Sequence, residues 1–191
     1  MSFEAILEKL QGKLSKDRFA HSVGVMETAQ RLALRYSFDA QKAALAGLLH
    51  DCARMLPLDV QLKKADRVGI LLDDIQRREK VLIHGPLGSV IAQELYGIHD
   101  EEILRAIELH TTGDVAMALL DKIIYIADYI EPNRNYLGVE DIRAQAVLSL
   151  DAAMILAYDT TIKHVLSRGR LLHPRTIAGR NYILLQGESK S

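Results

Sequence analysis

An all-α fold is what the sequence predicts, and three observations lead to it. Apolar residues recur at helical spacing, as in Phe3, Ile6, Leu7 and Leu10 and again in Ile103, Ala106, Ile107 and His110. No stretch shows the strict apolar and polar alternation of a half-buried strand. Helix start and stop signals follow one another at short intervals, dividing the chain into roughly ten helices.

Taken in order, the first helix rests on the Phe3 to Leu10 repeat, and Ser15 stands before a long second one. Pro57 opens a fourth helix and Gly85-Pro86 closes a fifth. Gly97 and Gly113 act as C-terminal stops, and His99 beside Asp100 and Glu101 marks a helix start between them. Pro132 ends an eighth helix. Arg168-Gly169-Arg170 reads as a turn after a helix, with Gly169 free to adopt positive φ, and Pro174 opens the last helix. Without internal repeats, low-complexity tracts or linkers longer than about ten residues, a single domain over residues 1–191 is expected.

Composition narrows the class. The 24 Lys and Arg against 25 Asp and Glu give a net charge of -1, which excludes a polyanion-coating protein. Hydrophobic residues make up 49% and charged residues 26%, with mean hydropathy +0.03, as in a folded chain rather than a disordered one. Cys52 is the single cysteine, and no charged-then-apolar leader follows Met1, so a reducing cytoplasm is the expected compartment. The most apolar stretch, Ile123 to Ile130, is interrupted by Asp128 and falls far short of the ~20 apolar residues a membrane span needs.

The chemistry lies in buried polar residues. His21, His50, His84 and His110 each sit beside apolar neighbours, as do Asp51 and Asp128. Burying a polar group without a partner costs roughly 2 to 7 kcal/mol, and a lone carboxylate more. Asp128, inside Ile123-Ile124-Tyr125-Ile126-Ala127-Asp128-Tyr129-Ile130, is the sharpest case. A core hydrogen bond or an ion pair would explain any one of these residues; a metal cation would explain them together, since carboxylate and neutral imidazole are its normal ligands. His50 and Asp51 are consecutive, about 100° apart on a helix, so both reach one cation only at a shared edge or a helix end. The other candidates fall on separate predicted helices, as in a site assembled inside a bundle. Four His and two Asp suffice for two metals.

The order His21, His50-Asp51, Asp128 resembles the signature of the HD superfamily of metal-dependent phosphohydrolases, and His84 and His110 resemble the additions of its dinuclear subset. Arg18-Phe19-Ala20-His21-Ser22-Val23-Gly24-Val25, Gly47-Leu48-Leu49-His50-Asp51, His84-Gly85-Pro86, His110-Thr111-Thr112-Gly113 and Ala127-Asp128-Tyr129-Ile130-Glu131-Pro132-Asn133-Arg134 are similar to strings of the bacterial HD-type symmetrical bis(5'-nucleosyl)-tetraphosphatases. The Gly-Tyr-Pro run of the cyclic-dinucleotide HD branch is missing.

The resemblance implies a single HD domain that cleaves diadenosine tetraphosphate symmetrically to two ADP. It implies an iron site of one or two ions, with Mn, Co or Zn as substitutes. His21, His50, Asp51 and Asp128 would hold the first metal, while His84 and His110 would complete a second site or contact phosphate. Metal would acidify a bound water for in-line attack on an inner phosphorus, with Asp128 also orienting that water. The catalytic set is then Asp51, Asp128, His84 and His110. The alternatives are another nucleotide phosphohydrolase, acting on nucleoside tri- or monophosphates, and a non-catalytic nucleotide-binding module.

A pattern outside the signature also suits a phosphate substrate. Arg18 precedes His21 by three, Arg54 follows His50 by four and Lys80 precedes His84 by four, so in helices a cation shares a face with each proposed ligand. Arg134 is expected to return across the site after Pro132, its rival reading being a surface pair with Glu131. Thr111 has a hydroxyl for a phosphate oxygen. From Lys163 to Arg180 the chain is basic and free of acids, with His164 and His173 included. Arg170 is expected to face the substrate, and His173, Arg175 and Thr176 to sit at a helix N-terminus that favours phosphate, with Arg180 and Asn181 further along. A solvated basic tail is the competing reading. Cys52 is expected to turn into the core, and Tyr182 is a candidate for base contact. A small nucleotide, no nucleic acid and no membrane are the expected partners, and a homodimer follows from the prevalence of two-fold pairs.

Overall fold

The computed structural model describes residues 1–188 and has no strand among them. Its helices are α1 (Phe3–Gln11), α2 (Lys16–Arg35), α3 (Ala40–Leu49), α4 (Leu58–Arg67), α5 (Asp74–Arg78), α6 (Lys80–Tyr96), α7 (Glu101–Leu109), α8 (Leu119–Ile130), α9 (Val139–Leu148), α10 (Leu150–Ser167) and α11 (Pro174–Glu188). The architecture is therefore all-α, as the periodicity predicts.

Side chains start many of these helices by satisfying free backbone donors. Ser15 accepts from Arg18 N at the head of α2, Asp39 from Gln41 N and Lys42 N at α3, and Asp100 from Glu102 N and Ile103 N at α7. Asp73 and Gln76 cap α5 reciprocally. Pro57 precedes α4, Pro174 opens α11 and Pro132 lies just beyond α8. Gly97, Gly113 and Gly169 all take positive φ after α6, α7 and α10.

Gly85-Pro86 does not close a helix. Both residues lie inside α6, which runs on to Tyr96. Proline removes one internal donor, yet Ile83, Leu87 and Ile91 on either side of it are buried and hold the helix in place. Gly85 serves a close approach, because a Cβ there would stand 2.5 Å from the carbonyl of Glu108 on α7.

Helix α8 is the axis of the packing. Ile123, Ile124, Tyr125, Ile126 and Ala127 are buried around its whole circumference, as in a helix enclosed by others. Helices α2, α3, α7, α9 and α10 pack against it. Its C-terminal end emerges at the bottom of a cleft, which is where Asp128 stands.

Candidate metal centre

Five segments deliver the polar residues to one place. His21 comes from α2, His84 from α6 and Asp128 from the last turn of α8. His50 and His110 are the C-caps of α3 and α7, and Asp51 opens the turn after His50. These two helix ends also orient their rings: Nδ1 of His50 donates to the Gly47 carbonyl at 2.7 Å, and Nδ1 of His110 to that of Ile107 at 2.7 Å. Each ring is thereby left with an Nε2 lone pair aimed inward.

Two ligand groups result. In the first, Nε2 of His21 and Nε2 of His50 are 3.2 Å apart, and Asp128 Oδ1 lies 3.0 Å from the former and 3.8 Å from the latter. Asp51 Oδ2 completes it at 3.9 Å from His21 and 3.7 Å from His50. In the second, the Nε2 atoms of His84 and His110 are 2.9 Å apart, and Asp51 Oδ1 lies 3.0 Å and 3.7 Å from them. Metal bonds of about 2.0 to 2.2 Å place neighbouring ligands roughly 3 to 3.5 Å apart, close to these spacings.

The donor chemistry fits a cation as well. His21 is held between two carboxylates, with Nδ1 3.1 Å from Glu131 and Nε2 3.0 Å from Asp128; with the proton on Nδ1, its Nε2 presents a lone pair to those of Asp128 and His50. Two facing lone pairs need a positive species between them, either a proton on His21 or a metal ion. Burial drives the His50 imidazolium down to about 4 and that of His84 to about 3, leaving both rings neutral. Burial also pulls His21 down, but Asp128 and Glu131 outweigh it and its pKa is raised. For Asp51, burial is overcome by His50, His110 and His84, which hold its carboxyl well below the ordinary range; His21 and Arg134 do the same for Asp128.

Above these groups lies a cleft of about 610 Å³. Arg18, Arg54, His84, His110, Thr111, Arg134, Arg170, His173 and Thr176 line it, and His21 is buried beside them. Arg18 Nη1 is 3.2 Å from Asp51 Oδ2, and Arg134 pairs with Asp128 Oδ1. Arg54 lies beyond the end of α3 in a run of turns rather than on a helix, yet its Nη1 still comes within 3.0 Å of His84 Nδ1. Thr111 Oγ1 is buried without a hydrogen-bond partner among the described residues.

Three expected contacts are not brought to the cleft. Lys80 opens α6 and is exposed; helical side chains lean toward the N-terminus, so in the first turn it points away from His84. Arg175 turns to Asp114 at 3.6 Å and Glu108 at 3.9 Å. Asn181 is exposed, about 140° around α11 from Thr176. Among the remaining basic residues Arg180 pairs with Asp159, and Tyr182 does not line the cleft. Arg170 donates to Glu79 Oε2 at 2.6 Å and His173 meets Asp73 Oδ2 at 2.7 Å, so the segment before α11 is tied to the approach to α6. Cys52 is buried with Sγ toward the Gly88 carbonyl.

His164 of the basic segment also lines the cleft, and so do Tyr129, Tyr136, Thr161 and Glu79, which were not singled out from the sequence. Neither was Glu131 as a site residue. It is 2% exposed and bonded to His21, not a surface partner of Arg134. Its position three residues after Asp128, on the same side of the helix, was the available signal.

The HD domain family matches residues 18–133. The chain is 41% identical to the symmetrical bis(5'-nucleosyl)-tetraphosphatase of Halalkalibacterium halodurans, over 94% of this chain and 96% of that protein. It is 35% identical to the protein of the same name in Bacillus subtilis, over 96% of this chain and 98% of the other. A crystal structure from Clostridium acetobutylicum, described as that of a predicted HD superfamily hydrolase involved in NAD metabolism, superposes with a TM-score of 0.95 at 45% identity, covering 97% of this chain and 98% of that one.

Proposed function

The chain belongs to the HD domain family, and from that premise we propose that it hydrolyses diadenosine tetraphosphate symmetrically to two ADP. One observation carries the reading: two His and Asp ligand groups share Asp51 and lie beneath Arg18 and Arg134 at the floor of the cleft. His21, His50, Asp51 and Asp128 would hold one metal ion, and Asp51, His84 and His110 a second. The mixed nitrogen and oxygen donors suit iron, with Mn, Co or Zn as substitutes. Bound there, the metal would supply Lewis-acid polarisation of a phosphoryl oxygen and acidify water at neutral pH.

The chain's own residues do the rest. Arg18, Arg54 and Arg134 bind the polyphosphate and stabilise the charge that grows on it, with guanidinium geometry suited to paired oxygens. The free hydroxyl of Thr111 donates to a phosphate oxygen beside His110. Asp128 orients the attacking water. The water's oxygen bonds to an inner phosphorus as the bridging bond on the far side breaks and the water's proton passes to solvent; one ADP departs, and the second ADP carries the new oxygen. The active site works on a small nucleotide, and the single unpaired Cys52 supports a cytoplasmic location. A homodimer completes the proposal.

Hydrolysis in labelled water, with the bound metal determined on the same protein, is the test. One labelled oxygen in ADP is expected. AMP and ATP as main products would overturn symmetrical cleavage.

A further inference from the structure

Glu131 is a buried acid that does not touch the cleft. It follows the last residue of α8, and its backbone N–H donates to the Ala127 carbonyl at 3.0 Å while its own carbonyl accepts from Arg143 at 2.9 Å. Its two carboxylate oxygens have separate donors. Oε1 faces His21 Nδ1 at 3.1 Å, and Oε2 accepts from the backbone N–H of Asn133 at 2.7 Å.

Room for this carboxylate comes from α2. Gly24, one turn beyond His21, lies against it, and a Cβ at that position would stand 2.6 Å from Glu131 Oε2. Glycine in a helix interior is less stable than alanine, so helix propensity does not account for its place there. The space beside it does.

We infer that Glu131 is a positioning residue for the first ligand group, holding the proton of His21 on Nδ1 so that the Nε2 lone pair stays free to ligate, with Gly24 as the gap that admits it. Partners of this kind fix a ligating imidazole's tautomer and orientation and raise its basicity. The inference rests on the proposed metal-holding role of His21, His50, Asp51 and Asp128. Glutamine is the informative replacement because it keeps the shape but has one acceptor where two are needed. If its oxygen serves Asn133, its amide turns toward His21 and drives the ring proton to Nε2, masking the lone pair.

The experiment takes the full chain, stripped of metal and titrated with cobalt(II), whose visible spectrum reports ligation, for wild type, Glu131→Gln, Gly24→Ala and His21→Ala. In Glu131→Gln and Gly24→Ala one ion equivalent should weaken by about 10- to 100-fold. Nitrogen NMR of the His21 ring in its neutral form, the charge state being read from the same spectra, should find the proton on Nδ1 in wild type and on Nε2 in Glu131→Gln. A residue that merely packs would leave both readouts unchanged. Cobalt affinity in Glu131→Gln within about twofold of wild type overturns the inference, as does wild-type cobalt binding by His21→Ala. So does an Nε2 proton in the wild-type ring, which decides the matter even if the variants fold poorly. Nucleotide turnover enters none of these readouts, so a protein that binds cobalt in this way yet leaves diadenosine tetraphosphate intact would fail only the substrate proposal.

Discussion

Oδ1 of Asp51 stands 3.0 Å from Nε2 of His84, while Oδ2 of the same carboxylate faces the His21 and His50 pair. One side chain thus belongs to both candidate ligand groups, and its removal is expected to differ in consequence from that of any other candidate ligand.

Asp51→Ala is expected to lose metal from both groups, Asp128→Ala from the first alone and His84→Ala from the second alone, with helical content retained in each. Elemental analysis of the purified variants checks the stoichiometry. His99, exposed at the start of α7, is the control, and His99→Ala should match wild type in metal and rate. Full metal content in Asp51→Ala would remove the shared-ligand assignment.

Arg18→Ala and Arg134→Ala should each lower kcat/KM for the dinucleotide by roughly 10- to 150-fold, the worth of one charge-assisted hydrogen bond of about 1.5 to 3 kcal/mol. Metal content should not fall, since each substitution takes a cation away from a ligand carboxylate. Steady-state kinetics on metal-replete protein decides it.

Arg170→Ala should cost less than either. Its guanidinium already has Glu79 Oε2 at 2.6 Å, and Glu79 belongs to neither ligand group, so phosphate must compete with a full carboxylate charge. Arg175→Ala should stay within about twofold of wild type, because that side chain is engaged by Asp114 and Glu108 away from the cleft. An Arg175 effect as large as that of Arg134 would contradict the placement of α11.

Stability of the metal-stripped protein should fall as the pH drops from about 6.5 toward 5. Burial holds His50 at about 4 and His84 at about 3, while both titrate near 6.5 in the unfolded chain. Between those values the unfolded state binds protons that the folded state does not, so acid favours unfolding. His21 is raised instead, and its contribution is complete below the unfolded value and lost as the pH rises through the raised one, adding no slope in this window. Asp51 and Asp128 are depressed, so what they contribute is lost only at lower pH. Thermal melts in chelator should show Tm decreasing with pH, less steeply in His84→Gln, and a flat Tm would argue against neutral buried rings.

Much of the centre was legible in the sequence because its residues violate a local rule. An aspartate inside Ile123 to Ile130, and histidines among leucines, must find partners wherever the helix is buried, so their identity as site residues does not depend on how helices cross. Helix boundaries at Ser15, Asp100 and Pro174 were equally local, being set by side chains that cap or proline rings that fit the first turn.

Which way a charged side chain faces was not local. Periodicity orients Lys80, Arg170 and Arg175 relative to their own segments, but each is then claimed or released by a neighbour: Glu79 from the start of α6 for Arg170, Asp114 after α7 for Arg175 and nothing in the cleft for Lys80. The same holds for Glu131, whose burial depends on a gap at Gly24 in another helix, and for Gly85, which approaches α7 instead of ending α6. By itself the sequence determined which buried residues needed a polar, charged or metal partner and where the helices begin. Only the tertiary structure decided that Asp51 would serve two ligand groups and which arginines would overhang them, because contact between residues far apart in the chain is set by the packing distance and crossing of helices, and spacing within one helix carries no information about either.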